Sequence, residues 1–258
     1  MNKIILLISI MFLVSLSCTK NDDYEIQKCN LSKIIYGEGI GQYTYTAYYE
    51  NNLIKELISI SNSEKIEFEY SENGFISKRE FFNIGNPQVM HRSQYTTNSS
   101  GQILERKNWR YENNEMIYIG KQTYEYSGSK LQKIQNYYID DISILNTLEL
   151  IWDGLNPVVV NQLGQDRLPD YSAHITYDTS KINKFNSTFS NFQQFYPFES
   201  IFLIWQSLSY NTPTSSISYF NNNSSETRHY QYSLLYNGLT SEIYYNDFLW
   251  IKYEYDCE

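Results

Sequence analysis

Three histidines, two carboxylate pairs and one glycine-rich stretch are the residues of this chain whose type and spacing invite a chemical reading. His91, His174 and His229 are scattered along the chain, and none belongs to a zincin or zinc-ribbon spacing. A zinc site or a histidine-activated nucleophile is therefore not expected, and the three read as ordinary strand residues. Asp140-Asp141, and Asp166 with Asp170, are the pairs that would suit hydrolysis of a glycosidic bond, which needs one carboxylic acid and one carboxylate flanking the scissile oxygen. Adjacent strand residues point to opposite faces, so the first pair converges poorly, and both pairs fall at presumed loops or strand ends where solvation is the expected role. Gly37-Glu38-Gly39-Ile40-Gly41 leads into a strand-like run from Tyr43 to Tyr49. A phosphate-binding loop must open a helix to offer its amides, so this stretch reads as a turn. No nucleophile elbow, Walker loop or dinucleotide fingerprint occurs. The expectation is a protein that is not an enzyme and carries no metal or cofactor.

The totals point the same way. The chain has 258 residues with 41% hydrophobic and 19% charged, enough to bury a core. Its formal net charge of −9 opposes binding to a phosphate backbone, so no nucleic-acid partner is expected. Aromatic residues make up 17%, including 26 Tyr, and large flat side chains suit a pleated sheet. Tyr and Trp also suit sugar rings and protein partners, yet so many tyrosines single out no site and are needed for packing.

Residues 1–17 read as a secretory signal: Lys3, an apolar run from Ile4 to Val14 interrupted by Ser9, then small or apolar residues. A run of this length is too short for a resident membrane helix. Val14-Ser15-Leu16-Ser17 before Cys18 resembles the lipobox of bacterial lipoproteins, with Ser15 departing from the usual leucine; the resemblance implies acylation of Cys18 and a tether over 18–28. Ordinary cleavage that discards Cys18 or leaves it free is the alternative. Lys20-Asn21-Asp22-Asp23 resembles the export tag of Bacteroidota lipoproteins displayed on the outer face of the outer membrane, or else is a solvated tether facing the periplasm. Cys29 and Cys257 remain, one near each end of a single domain over 29–258. In an oxidising envelope they can pair, closing a loop worth at most about 5 kcal/mol; two unrelated thiols are the other reading.

The elements that must position these residues are hairpins. Ile66, Phe68 and Tyr70 alternate with Lys65, Glu67 and Glu69, Asn73-Gly74 supplies a tight turn, and Ile76 and Lys78 begin the return. Candidate turns recur at Asn51-Asn52, Asn73-Gly74, Ser100-Gly101, Ser127-Gly128, Asp153-Gly154, Asp178 to Ser180, Asn211 to Pro213 and Asn237-Gly238, with a period near 26 residues. An aromatic precedes each turn, at Tyr48, Tyr70, Tyr95, Tyr126, Trp152, Tyr177, Tyr210 and Tyr236. An aliphatic residue follows, at Leu53, Ile76, Ile103, Leu131, Leu155, Ile182, Ile217 and Leu239. This is a structural grammar, in which Gly or Asn supplies positive φ and the flanking residues pack across the hairpin. One stretch departs from it: Phe195, Phe198, Ile201, Phe202 and Trp205, at helical spacing behind Pro197, predict a short helix near 198–208, with a buried aromatic strand as the competitor.

Tyr70 to Lys78 and Tyr236 to Ile243 resemble YD or Rhs-type repeats. Together with the lipobox and the C-terminal Tyr253-Glu254-Tyr255-Asp256-Cys257, the chain resembles a family of Bacteroidota lipoproteins of unknown function with a porin-like β-fold. The resemblance implies architecture and address and brings no catalytic residues. The expected fold is all-β, a long antiparallel meander of about 14–16 strands closing into a barrel, because a meander of that length must curl or leave two bare edges. Tyr43, Tyr45, Ala47 and Tyr49 share one strand face that would suit lipid, but the lipid-anchored start and the ending at Cys257-Glu258 favour a water-soluble domain. The function expected is an envelope binding or interaction scaffold with a protein or glycan partner. The alternatives are an enzyme acting on polysaccharide and an outer-membrane pore.

Overall fold

The computed structural model describes residues 29–36, 43–61, 63–182, 211–221, 224–234 and 240–257. These form sixteen strands: β1 (Cys29–Tyr36), β2 (Tyr43–Glu50), β3 (Leu53–Ser59), β4 (Glu64–Tyr70), β5 (Ile76–Asn83), β6 (Val89–Thr97), β7 (Ile103–Glu112), β8 (Glu115–Ser127), β9 (Lys130–Tyr137), β10 (Ile144–Asp153), β11 (Asn156–Leu163), β12 (Pro169–Ile182), β13 (Asn211–Phe220), β14 (Ser225–Leu234), β15 (Thr240–Tyr245) and β16 (Phe248–Cys257). Each strand pairs antiparallel with its neighbours in sequence, and β1 pairs with β16, so the meander closes into a barrel without a free edge. The all-β barrel expected from the hairpin repeat is thus the observed fold. The signal segment, Cys18, the tether, the turns at Gly37 to Gly41 and Asn237-Gly238, and the helix near 198–208 lie outside the described residues.

By its contacts the chain divides into two compact units. Leu31–Tyr255 is the barrel unit. Among the described residues of the other, Cys29 and Cys257 form a disulfide with Cα atoms 4.0 Å apart.

An antiparallel meander places alternate connections at opposite ends of its barrel. One end carries the tight turns that the repeat grammar marks: Asn51 and Asn52, Gly74, Gly101, Gly128 and Gly154 all have positive φ there. The other end carries the connections after β3, β5, β7, β9, β11, β13 and β15, several of them longer, and the repeat did not mark these. Two marked turns are not turns. Asp178 to Ser180 lies within β12 and Asn211 to Pro213 opens β13. The Asp178 carboxylate accepts the Ser180 amide at 3.0 Å in a local Asx turn, and pairing jumps from Asp178–Thr212 to Ile182–Asn211, so a turn-like signal became a bulge.

Register decides which side chains face inward, because partners across the ladder share a face. Leu57 pairs with Ile66 and Tyr45 with Ile34, and all four are buried; Glu56 pairs with Glu67 on the opposite face. One apolar cluster joins residues of β1 to β5, β7, β15 and β16, centred on Leu31, Tyr45, Leu57, Ile66, Phe68 and Ile251. A second joins β9 to β12 and β14 through Leu131, Ile134, Leu148, Leu150, Val160 and Tyr230. Tyr124 and Tyr232 pack against both. The inward residues around the first turn are Tyr49 and Ile54; Tyr48 is 47% exposed, and Lys55 is the extra residue of a bulge. Leu155 is likewise an exposed turn residue and Ile217 faces outward.

Candidate functional site: the barrel's inner wall and loop end

The repeat's aromatic residue has one task in hairpin after hairpin. The Tyr49 hydroxyl donates to the Leu31 carbonyl at 2.9 Å, Tyr70 to Ile54 at 2.7 Å, Tyr177 to Pro157 at 2.5 Å, and the Trp152 indole N–H to Leu131 at 2.8 Å. Each ring reaches back to the carbonyl of the preceding hairpin, beside its first buried residue. The grammar therefore stitches hairpin to hairpin, and these tyrosines are not free to hold a ligand. Burial pushes the phenols of Tyr70 and Tyr177 well above their ordinary range.

Away from the turn end the inner wall becomes polar over β6 to β10. Ser93 donates to the Asn108 side-chain oxygen at 2.9 Å, and Arg106 donates to Ser93 at 3.2 Å and to Gln122 at 3.3 Å. Gln122 donates to Asn136, and Asn136 to Asn146, both at 2.5 Å. The chain of bonds crosses five strands, with the Arg106 guanidinium 5.9 Å from the Tyr95 ring centroid. A second polar group sits on β12 to β15: Tyr171 with Ser218 at 2.9 Å, Ser216 with Tyr230 at 3.1 Å, and Arg228 donating to Glu226 at 2.7 Å while Tyr245 donates to the same carboxylate. The hydrogen bonds from Arg228 and Tyr245 hold the Glu226 carboxyl below its usual range. Period-2 patterning hid both groups, because Asn, Gln and Ser on alternate positions look like an outer face.

The outer wall carries many charges, alongside the exposed Tyr48, Ile151, Ile217 and Tyr219. Lys33 meets Glu254 at 3.0 Å, Lys65 meets Glu67 at 2.5 Å, Lys78 meets Glu69 at 2.5 Å, Arg92 meets Glu80 at 2.6 Å and Lys133 meets Glu125 at 2.8 Å. Thr44, Thr46, Tyr48 and Glu50 form the outer face of β2, whereas Tyr45, Ala47 and Tyr49 face inward with the core. The apolar face of this strand, which from the sequence alone would suit lipid, therefore packs against protein. A shallow outer groove of about 350 Å³ lies among Glu69, Lys78, Gln94, Thr96, Glu105 and Lys107, but its lysines are engaged by Glu69, Glu80 and Glu105.

The three histidines are dispersed, whereas the Asp166 and Asp170 carboxylates both lie against Gly164. His91 is on β6 at the loop end, where burial, then Arg110 and Arg79, keep it below the ordinary histidine range; His174 and His229 lie on the outer faces of β12 and β14. Asp140 accepts the Ile142 and Ser143 amides at 3.0 and 2.9 Å, and Asp141 accepts the Tyr118 hydroxyl. Asp166 accepts the Leu168 amide at 2.9 Å, and Asp170 meets Asn221 at 3.4 Å. Asp140 and Asp166 thus cap their own turns, while Asp141 and Asp170 bond across to neighbouring elements at the loop end. Among the described residues no three His, Cys, Asp or Glu side chains converge as metal ligands, and no helix there is long and apolar enough to cross a membrane.

No family model and no curated protein matches the sequence. A solved structure shares the fold. A porin-like protein from Bacteroides uniformis aligns at 16% identity with a TM-score of 0.57, covering 88% of this chain and 98% of that one. A porin-like protein from Bacteroides vulgatus aligns at 12% identity with a TM-score of 0.44, over 88% and 98% of the two chains. The alignment with the Bacteroides uniformis protein, together with the closed strand order, gives the chain a porin-like barrel fold.

Proposed function

We propose that this protein is a water-soluble barrel of porin-like fold, carried to the bacterial envelope on a lipid at Cys18, that serves as a non-enzymatic binding scaffold for a protein or glycan partner. The single observation that carries this reading is the partition of side chains between the two walls. A barrel that spans a bilayer faces lipid with an apolar band, and an Arg or Lys at mid-depth costs it about 2–4 kcal/mol. Here Lys33, Lys65, Lys78, Arg92, Lys107, Lys121, Lys133 and Lys252 stand outside, ion-paired, while Tyr, Ile and Leu fill the inside. Surface ion pairs add little stability individually. Their meaning is that the outer wall is built for water. The membrane link then falls to the N-terminal lipid, with an outer-membrane and cell-surface address resting on the lipobox-like Val14 to Cys18 and the tag-like Lys20 to Asp23, and with the likeness to a YD/Rhs-repeat lipoprotein family.

The test is a Cys18→Ala chain without its signal, purified in the absence of detergent. A monodisperse species that does not change conductance across a planar bilayer is expected. Aggregation relieved only by detergent, together with discrete conductance steps, would overturn the reading in favour of a pore. Protease shaving of intact cells expressing the native chain checks the address.

A further inference from the structure

The barrel's two ends differ in what they show to solvent. Among the described connections of the turn end, Leu155 is the large apolar side chain that stands exposed. At the loop end Ile60 is 85% exposed, Ile139 61%, Ile142 81%, Leu168 63% and Phe248 72%, with Ile84 and Tyr138 also exposed. A water-soluble protein does not gain from placing isoleucine and leucine at loop tips unless something covers them. The connections after β9 and β11 are neighbours, because β10 pairs with both β9 and β11, and the Gln165 amide donates to the Tyr138 hydroxyl at 2.5 Å. Tyr138, Ile139, Ile142 and Leu168 thus belong to one patch.

That patch is also acidic. Asp140, Asp141, Asp166 and Asp170 interleave with its apolar residues, against one cation, Arg167. Interleaved apolar and negative groups dictate the occupant. A second copy of the same patch would set carboxylates against carboxylates, and an anionic membrane surface would be repelled. We propose that the loop end, centred on Ile139, Ile142 and Leu168, is a docking surface for a partner protein that presents a cationic, amphipathic segment. Its apolar side chains cover the three aliphatic tips, and its Lys or Arg side chains meet the rim carboxylates. This deepens the scaffold reading by naming a partner class, and it rests on that reading.

The experiment titrates a fluorescent amphipathic Lys/Leu peptide, and its Glu/Leu counterpart, with the purified full chain at about 0.15 M salt. The expected result is saturable binding of the Lys/Leu peptide alone, weakened at least about tenfold by Ile139→Ser with Ile142→Ser and about threefold by Asp140→Asn with Asp166→Asn. The outer-wall controls Ile151→Ser and Glu125→Gln should bind as the parent does, which separates the patch from general acidity. All these sites are solvent-facing, so the variants fold. Rim variants that bind like the parent, rim-dependent binding to phosphatidylglycerol vesicles, or rim-dependent dimerisation in sedimentation would each overturn the proposal. A failure of the scaffold reading is seen separately, as a detergent requirement and conductance in the parent chain.

Discussion

Tyrosine-to-phenylalanine exchange should have opposite signs at different places in this barrel. Tyr70 and Tyr177 each donate to a carbonyl inside the turn end, at 2.7 and 2.5 Å. Removing either hydroxyl loses a hydrogen bond worth about 0.5–1.5 kcal/mol net and strands part of a carbonyl's bonding capacity, so about 1–2 kcal/mol is expected for each. For a domain of this size that is a fall of about 3–6 °C in Tm. Tyr232 lies between the two apolar clusters, and its buried hydroxyl finds no partner among the described residues. Tyr232→Phe removes an unsatisfied polar atom and leaves the ring in place, so it should be neutral or stabilise by up to about 1 kcal/mol. The Tyr70→Phe and Tyr177→Phe effects, on strands far apart in the sheet order, should add within about 0.5 kcal/mol. Urea unfolding of the three single variants and the one double variant, followed by tyrosine fluorescence, measures all of this. Losses of equal size at all three positions would refute the stitching argument, because removing a hydroxyl would then cost the same with or without a carbonyl partner.

Gly120 has φ +124°, and an added Cβ would sit 2.4 Å from the Tyr137 carbonyl oxygen, whereas Gly128, at φ +60°, meets nothing within 4 Å. Gly120→Ala should therefore lower stability by more than about 2 kcal/mol in urea titration, and Gly128→Ala by about 1, the cost of a left-handed residue alone. Replacing Cys29 and Cys257 by serine should reduce stability by no more than about 5 kcal/mol, read by comparing oxidised parent and variant melts. Two shifted groups set the pH dependence. His91 has a depressed folded pKa, so the folded state takes up its proton after the unfolded chain does, and stability should fall as pH drops below the ordinary histidine value of 6.5; His91→Gln should flatten that limb. Hydrogen bonding to Lys33 is the foremost cause that depresses Glu254. Its contribution is present above the ordinary glutamate value of 4.5 and is lost as pH falls through the lower folded value, and Glu254→Gln should remove this part of the acid limb.

The barrel was legible because its strands obey two local rules at once, alternation and a turn every second strand. Ile66, Phe68 and Tyr70 against Lys65, Glu67 and Glu69 fixed both the strand and its inner face. The turn end was legible for the same reason: Asn51, Gly74, Gly101, Gly128 and Gly154 are needed for positive φ, and such residues announce themselves. The loop end was harder. Asn113-Asn114 and Asn246-Asp247 make two-residue turns with positive φ and passed unmarked, although Tyr111 with Ile117 and Tyr245 with Leu249 frame them, because they fall between the turns that recur about every 26 residues. Asp178 to Ser180 misled in the other direction, since an Asx turn within a bulged strand has the composition of a hairpin tip. The inner-wall polar groups were not legible, because whether Asn136 faces its neighbours Gln122 and Asn146 or solvent depends on which side of the sheet closes. The patch at Ile139, Ile142 and Leu168 is a fact about which loops become neighbours, and only the strand order supplies it.

The pairing of β1 with β16 places a lock between the earliest and latest parts of the polypeptide. The Lys33–Glu254 contact joins residues 221 positions apart, so no shorter product of synthesis can make it. Until β16 is available to pair with β1 and β15, the sheet stays an open ribbon. A molecule that lacks β16 carries two bare strand edges, on β1 and β15, and such edges invite pairing with another chain.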